Sequence, residues 1–186
     1  MPMSVKRDIA DAIIAQRKKY DVETRLPWDK AIHDQVIERT SGHKVIALYA
    51  AFNHEVDTYA IMETLWWDPT LTLVLPKISN KAMTFHPVTG FQDLTPGQLG
   101  ILEPTTAVTI DAEDIDMMLV PMVAFNRNGY RIGYGAGYYD RYLKDTDFIK
   151  IGLAYDFQET TVSFEEMHDI PCDAIITNRE VIHAKQ

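Results

Sequence analysis

A single cysteine, Cys172, stands in the whole chain, which excludes an internal disulfide framework. No Gly-Lys-Ser or Gly-Lys-Thr triplet occurs, so the phosphate-loop nucleotidases are excluded too. The dinucleotide fingerprint also fails. Counted from Gly133, its third glycine should fall at residue 138, and that residue is Tyr138. Positive charge is scarce: 18 Lys and Arg stand against 27 Asp and Glu, a net charge of −9. That balance argues against a nucleic-acid binder, which would show a basic face. The six histidines form no metal-ligand pattern, and His168 with Asp173 does not have zinc spacing. No apolar core follows Met1, so no secretory leader is expected. The apolar run near residue 120 is far short of a membrane span. A cytoplasmic protein with no membrane or nucleic-acid partner is the expectation. No linker, repeat or low-complexity tract divides the 186 residues, so a single domain over 1–186 is expected.

What the chain does have is concentrated between Asn126 and Leu143. Four of its nine glycines fall there, at Gly129, Gly133, Gly135 and Gly137. An apolar run, Met117 to Phe125, leads in, and a tract of helical character, Tyr138 to Leu143, leads out. Glycine lets backbone N–H groups approach an anion without a Cβ in the way. A helix start adds partial positive charge. Arg127, Arg131 and Arg141 add full charges. The stretch therefore reads as a phosphate cradle rather than an idle glycine-rich loop.

Elsewhere the periodicity predicts alternating helices and strands. Ser4 to about Tyr20 is a helix that Ser4 can cap, with Val5, Ile9 and Ile13 at helical spacing. Lys6, Ala10 and Arg17 lie on roughly one face of it. Pro27 to about Thr40 is a second helix with proline in first position, and Trp28 is taken as packing. Lys44 to Ala51 is a buried strand, and Asp57 or Thr58 can cap the helix after it. Glu55 sits just past that strand's carboxyl end, where open α/β sheets bind ligands. Further strands are predicted at Leu71–Leu75, Met83–Pro87, Ile115–Pro121 and Phe148–Ala154, with a short one after Asp173. Thr89 to Pro104 reads as a long loop. The alternation implies a three-layer α/β/α domain with a mostly parallel central sheet. By resemblance only, the expected architecture is similar to that of the phosphosugar isomerases and CoA-transferases.

The run Gly133-x-Gly135-x-Gly137-Tyr138-Tyr139-Asp140-Arg141, after Pro121-x-x-x-Phe125, resembles the 5-formyltetrahydrofolate cyclo-ligases, and the resemblance covers most of the chain. It implies ATP-dependent closure of 5-formyltetrahydrofolate to 5,10-methenyltetrahydrofolate, with ADP and phosphate as products. ATP would phosphorylate the formyl oxygen, and the N10 amine would then close on the activated carbon. For phosphoryl transfer the protein mostly supplies position and charge.

Residue by residue, the resemblance implies ATP contacts from Lys6, Arg131, Gly133, Tyr134, Gly135, Ala136, Gly137, Tyr138 and Tyr139. Arg131, Tyr138 and Tyr139 are the catalytic candidates, and either tyrosine can face the folate or the phosphates. Glu55 matches a glutamate that contacts the pteridine, with Tyr138 as a second substrate contact. Asp173 and Asp140 would make an oxygen site for Mg²⁺. Two positions depart from the pattern: Ala10 stands where an arginine is expected, and Asn126 where an aspartate is usual. Arg7 or Arg17 are the possible substitutes for the first, although Arg17 lies about 10 Å further along the helix axis. ATP, Mg²⁺ and the folate are the implied ligands, and the assembly a monomer or weak dimer. The alternatives are a non-catalytic nucleotide- or folate-binding protein on the same scaffold, and an isomerase or acyl-transfer enzyme independent of ATP.

Overall fold

The computed structural model describes the backbone of residues 3–185, with side chains from Val5 onward. Helix α1 (Met3–Arg17) already contains Ser4, whose proposed capping side chain lies outside the described residues. Helix α2 (Val22–Thr40) corrects the expected start at Pro27. Asp21 caps it five residues earlier, its carboxylate accepting from the Thr24 N–H at 2.8 Å. Pro27 therefore sits inside the helix, where it costs the backbone bond back to Glu23.

Strand β1 (Val45–Ala47) leads through Leu48–Ala51 to helix α3 (Thr58–Leu65). Asp57 caps α3, accepting from Tyr59 N–H at 2.9 Å, while the Thr58 hydroxyl donates to Tyr49 O at 2.6 Å. Both capping candidates thus have structural work. Strands β2 (Thr72–Ser79) and β3 (Ala82–Val88) form a hairpin. Pro76 is accommodated in β2 because the ladder to β1 stops at Val74. The expected loop over 89–104 is not structureless. It folds into a two-stranded ribbon, β4 (Leu94–Pro96) with β5 (Leu102–Pro104). Lys77 holds that ribbon, its ammonium donating to Pro104 O at 3.1 Å.

The chain continues through β6 (Met117–Pro121) into a small hairpin, β7 (Ala124–Phe125) with β8 (Arg131–Ile132). Helix α4 (Tyr138–Leu143) covers the span expected of it. Strands β9 (Ile149–Leu153), β10 (Ala174–Ile176) and β11 (Val181–His183) complete the order.

Among the described residues the main sheet has seven strands in the order β11-β10-β9-β6-β1-β2-β3. The four inner pairings, β10 through β2, are parallel, and the two outer ones are antiparallel. Its inner strands are short apolar runs buried on both faces. Ile46, Leu73, Leu119 and Ile151 pack with Ile32, Val36, Ile61 and Met62 of α2 and α3. Ala47, Val74, Met118 and Ile175 turn the other way, towards Leu143 of α4 and Phe148. Helix α1 joins neither layer. Its Ile13 packs with Val123, Ala124 and Ile132, so α1 lies against the β7–β8 hairpin. That docking decides what the end of α1 can reach. No helix among the described residues is long and apolar enough to cross a membrane.

Candidate active site

From β1 the chain passes to β2 on one side, and later strands β6, β9 and β10 build outward on the other. The strand order therefore reverses between β1 and β6, which remain parallel, and the carboxyl ends of strands at such a point frame a crevice. Glu55 follows β1, Tyr155 follows β9, and the glycine loop follows β6 through the β7–β8 hairpin. Asn53 and His54 carry positive φ values of 49° and 61°, so the chain turns sharply before Glu55. That turn lets Glu55 fold back, and its Oε2 accepts from the Phe52 N–H at 3.0 Å.

Glu55 is buried, and its Oε1 has no hydrogen-bond partner among the described residues. Burial pushes its carboxyl up to about 7, while the Phe52 N–H, the Arg17 charge and the Tyr134 hydroxyl pull it back. Arg25, in α2, reaches Tyr155 OH at 3.3 Å and Glu55 O at 3.5 Å, with its Nε unpartnered. The Tyr155 hydroxyl donates to Asp29 Oδ1 at 2.6 Å. Desolvation holds the Asp29 carboxyl above its ordinary value despite that bond.

Arg17 reaches the same place from α1. It is fully buried, its Nη2 donates to the Tyr134 hydroxyl, and its Nε and Nη1 have no partner among the described residues. Tyr134 packs its ring on Phe52, centroids 5.0 Å apart, so the glycine loop touches the Glu55 turn directly. Burial and the Glu55 charge push the Tyr134 phenol up to about 12. Gly133, Gly135 and Gly137 keep the loop open. Gly135 has φ +89°, and a Cβ there would meet nothing within 4 Å. Ala136 is exposed, and its carbonyl accepts from Arg141 Nη1 at 3.0 Å.

A buried acceptor, a buried guanidinium with free donors and an open glycine loop thus meet at the sheet's reversal point. The family model described as the 5-formyltetrahydrofolate cyclo-ligase family matches residues 2–178. The chain belongs to that family. It is 33% identical over 135 residues to the 5-formyltetrahydrofolate cyclo-ligase of Haemophilus influenzae, covering 69% of this chain and 72% of that protein. The Escherichia coli K12 cyclo-ligase is 30% identical over 146 residues, covering 73% and 79%. The solution structure of Aquifex aeolicus 5,10-methenyltetrahydrofolate synthetase superposes with a TM-score of 0.85 at 29% identity, covering 98% of this chain and 94% of that one.

Against the cyclo-ligase pattern, the remaining candidates divide. Arg131 is buried, donates from Nη2 to Asp140 Oδ1 at 3.0 Å and leaves Nε unpartnered. Its guanidinium lies over the Tyr139 ring, 5.6 Å from the centroid, and burial raises the Tyr139 phenol strongly. Tyr138 stacks under Arg141 at 5.0 Å. Asp173 stands at the amino end of β10, its Oδ2 accepting from the Lys150 N–H at 2.7 Å. Asp140 and Asp173 both act on the buried Cys172 thiol, which burial chiefly pushes up to about 11. Lys6 is engaged elsewhere: it pairs with Asp169 Oδ2 at 2.7 Å and Glu166 Oε2 at 3.1 Å.

Two expectations about charge are corrected. Arg127 does not serve the cradle, because it forks onto Glu159 at 2.8 Å and Glu180 at 2.6 Å. Gly129 serves the hairpin, not an anion. It has φ +88°, and a Cβ there would lie 2.4 Å from Cys172 O. Arg17 and Arg25 are the residues sequence reasoning undervalued. Arg17 is one of the two possible substitutes for the arginine missing at Ala10, set about 10 Å further along α1. The axial spacing was right, but it left out the hairpin, which packs on α1 and carries Tyr134 to the helix end.

Proposed function

We propose that this chain is a cytoplasmic, single-domain 5-formyltetrahydrofolate cyclo-ligase that consumes ATP with Mg²⁺ and releases 5,10-methenyltetrahydrofolate, ADP and phosphate. The observation that carries it is the unanswered Oε1 of buried Glu55, one side chain away from the glycine loop. A carboxylate oxygen out of water calls for a donor. The pterin edge offers adjacent N–H groups, and Glu55 would fix the folate through them.

The glycine loop would receive the nucleotide. Backbone groups of Gly133 to Gly137, with Tyr134 and Ala136, would hold the phosphates, and Arg131 would supply charge held in place by Asp140. Tyr138 and Tyr139 would flank the reacting groups, with Tyr138 also contacting the folate. Lys6 would join the phosphates only by leaving Asp169 and Glu166. Among the described residues, Asp140 Oδ2 and Asp173 Oδ1 have no hydrogen-bond partner, and carboxylate oxygens are the hard donors Mg²⁺ takes. These two carboxylates would hold the ion, which when bound would offset charge on the phosphates. A monomer or weak dimer suffices for all of this.

A second reading, a non-catalytic folate- or nucleotide-binding protein, is favoured by Ala10 together with the committed Lys6. One experiment separates the two. The purified protein is mixed with 5-formyltetrahydrofolate, and methenyltetrahydrofolate is followed by its near-ultraviolet absorbance with and without Mg²⁺-ATP. A rise that needs both is the expected result. Folate binding by calorimetry without any rise would sink the enzyme reading and leave the binder.

A further inference from the structure

Most cations near the glycine loop are committed to carboxylates: Lys6 to Asp169, Arg127 to Glu159 and Glu180, Arg131 to Asp140. Arg17 is different. Its guanidinium is fully buried, its one hydrogen bond is to a neutral phenol, and Nε and Nη1 have no partner among the described residues. Burying a charge with unanswered donors is costly, and an anion would relieve it. Glu55 acts on the guanidinium only through space: its Oε2 takes the Phe52 N–H, and it forms no ion pair with Arg17 among the described residues.

Tyr134 lies over the guanidinium, its ring centroid 5.8 Å from Arg17 Cζ. It belongs to the glycine loop, where next to it a Cβ at Gly135 would meet nothing within 4 Å. We propose that Arg17 and Tyr134 form a phosphoryl-binding subsite, in which the tyrosine hydroxyl holds the place of a phosphoryl oxygen until the anion displaces it. The proposal rests on the cyclo-ligase reading above and adds a residue to it. A guanidinium fork matches two phosphoryl oxygens, and such bonds are stronger than one to a phenol. Because Arg17 also acts on Glu55, the subsite adjoins the folate side. In the step it serves, the γ-phosphorus of ATP bonds to the formyl oxygen. The bond to the β–γ bridging oxygen breaks, and ADP leaves with that electron pair. Arg17 moves no proton.

Inorganic phosphate is the probe, followed on the full chain by phosphorus-31 line width. Tyr134→Phe removes the competing hydroxyl and should tighten phosphate binding about threefold, whereas Arg17→Lys should weaken it about tenfold. In turnover, Arg17→Lys should lower kcat about a hundredfold while leaving 5-formyltetrahydrofolate affinity near that of the wild type. Circular dichroism confirms that both variants fold. Phosphate affinity unchanged in both variants overturns the subsite, whatever the wild type's activity. If the wild type makes no methenyltetrahydrofolate, yet phosphate binding responds to both substitutions, the cyclo-ligase reading fails and the anion subsite stands.

Discussion

Arg131 and Asp140 are joined by one bond, Nη2 to Oδ1 at 3.0 Å, which ties the end of the β7–β8 hairpin to the first turn of α4. The arginine side chain is 4% exposed and the aspartate 28%, so most of the unpaired charge after a substitution at Asp140 would fall on a buried group. Asp140→Ala should cost about 3 kcal/mol in urea unfolding, because it strands that guanidinium. Asp140→Asn keeps an acceptor and should cost under about 1 kcal/mol. Both should lose Mg²⁺-dependent turnover if the second oxygen serves the metal. Wild-type Mg²⁺ dependence in Asp140→Asn would remove Asp140 from the metal site while leaving its structural role intact.

The buried carboxyl of Glu55 makes stability and ligand binding respond to pH in opposite directions. Its folded value is about 7 against an ordinary 4.5, so between those values the native state holds a proton that the unfolded chain has lost. Stability must therefore fall as pH rises from 4.5 to 7 and level off above. The total is about 3 kcal/mol at most. Glu55→Gln should flatten that part of the profile in a series of urea melts. Folate should behave the other way. A ligand donating N–H groups to the carboxylate favours its ionised form, so affinity should rise as pH climbs towards 7 and level off above it, with protons released on binding below it. Calorimetry in buffers of different ionisation enthalpy reads that release directly. No buffer dependence at pH 6 would mean that Glu55 is not the group the folate engages.

The legible parts of this chain were those set by local pattern. Apolar runs such as Met117–Pro121 are buried on both faces and read as inner strands, and Tyr138–Leu143 reads as a helix because glycines end where it begins. The place of Glu55 just past a strand's carboxyl end was legible too. What local pattern does not hold is competition and docking. Pro27 is a good first residue of a helix, but Asp21 is a better cap, and nothing in the window says which prevails. The ribbon of β4 and β5 pairs three residues with three across a tight turn, too short for alternation to register. Arg127 and Arg131 look alike in sequence, yet one forks outward onto Glu159 and Glu180 while the other turns inward onto Asp140. Arg17 meets Tyr134 only because α1 docks on the hairpin.

Two loop glycines with positive φ should respond differently to alanine. At Gly129 the added Cβ would lie 2.4 Å from Cys172 O and 2.9 Å from Ala184 Cβ, so backbone must move. Gly129→Ala should lose about 3 kcal/mol, from strain and clash together. At Gly135 nothing lies within 4 Å, so Gly135→Ala should cost only about 1 kcal/mol of backbone strain. Its effect should appear instead in KM for ATP, because a methyl group would stand where the phosphates approach. Equal losses of stability at the two positions, with KM for ATP unmoved at Gly135, would count against the loop as a cradle.

Lys6 separates a structural clamp from a nucleotide ligand. Its ammonium joins α1 to the 166–169 segment through Glu166 and Asp169, at 3.1 and 2.7 Å. Partial burial works against the charge, but the bonds to Asp169 and Glu166 outweigh it and raise the Lys6 value above its ordinary 10.5. A raised lysine contributes stability that is fully present below 10.5 and is lost as pH rises through the folded value. Lys6→Met should therefore cost about 1 kcal/mol at pH 7, and the gap to wild type should close in alkali. The same variant reads the nucleotide role. If the ammonium leaves its two carboxylates for ATP, KM for ATP should rise about tenfold beside the lost stability. A KM that stays at the wild-type value would leave Lys6 as a clamp alone, and the charge that α1 brings to the phosphates would then rest on Arg17.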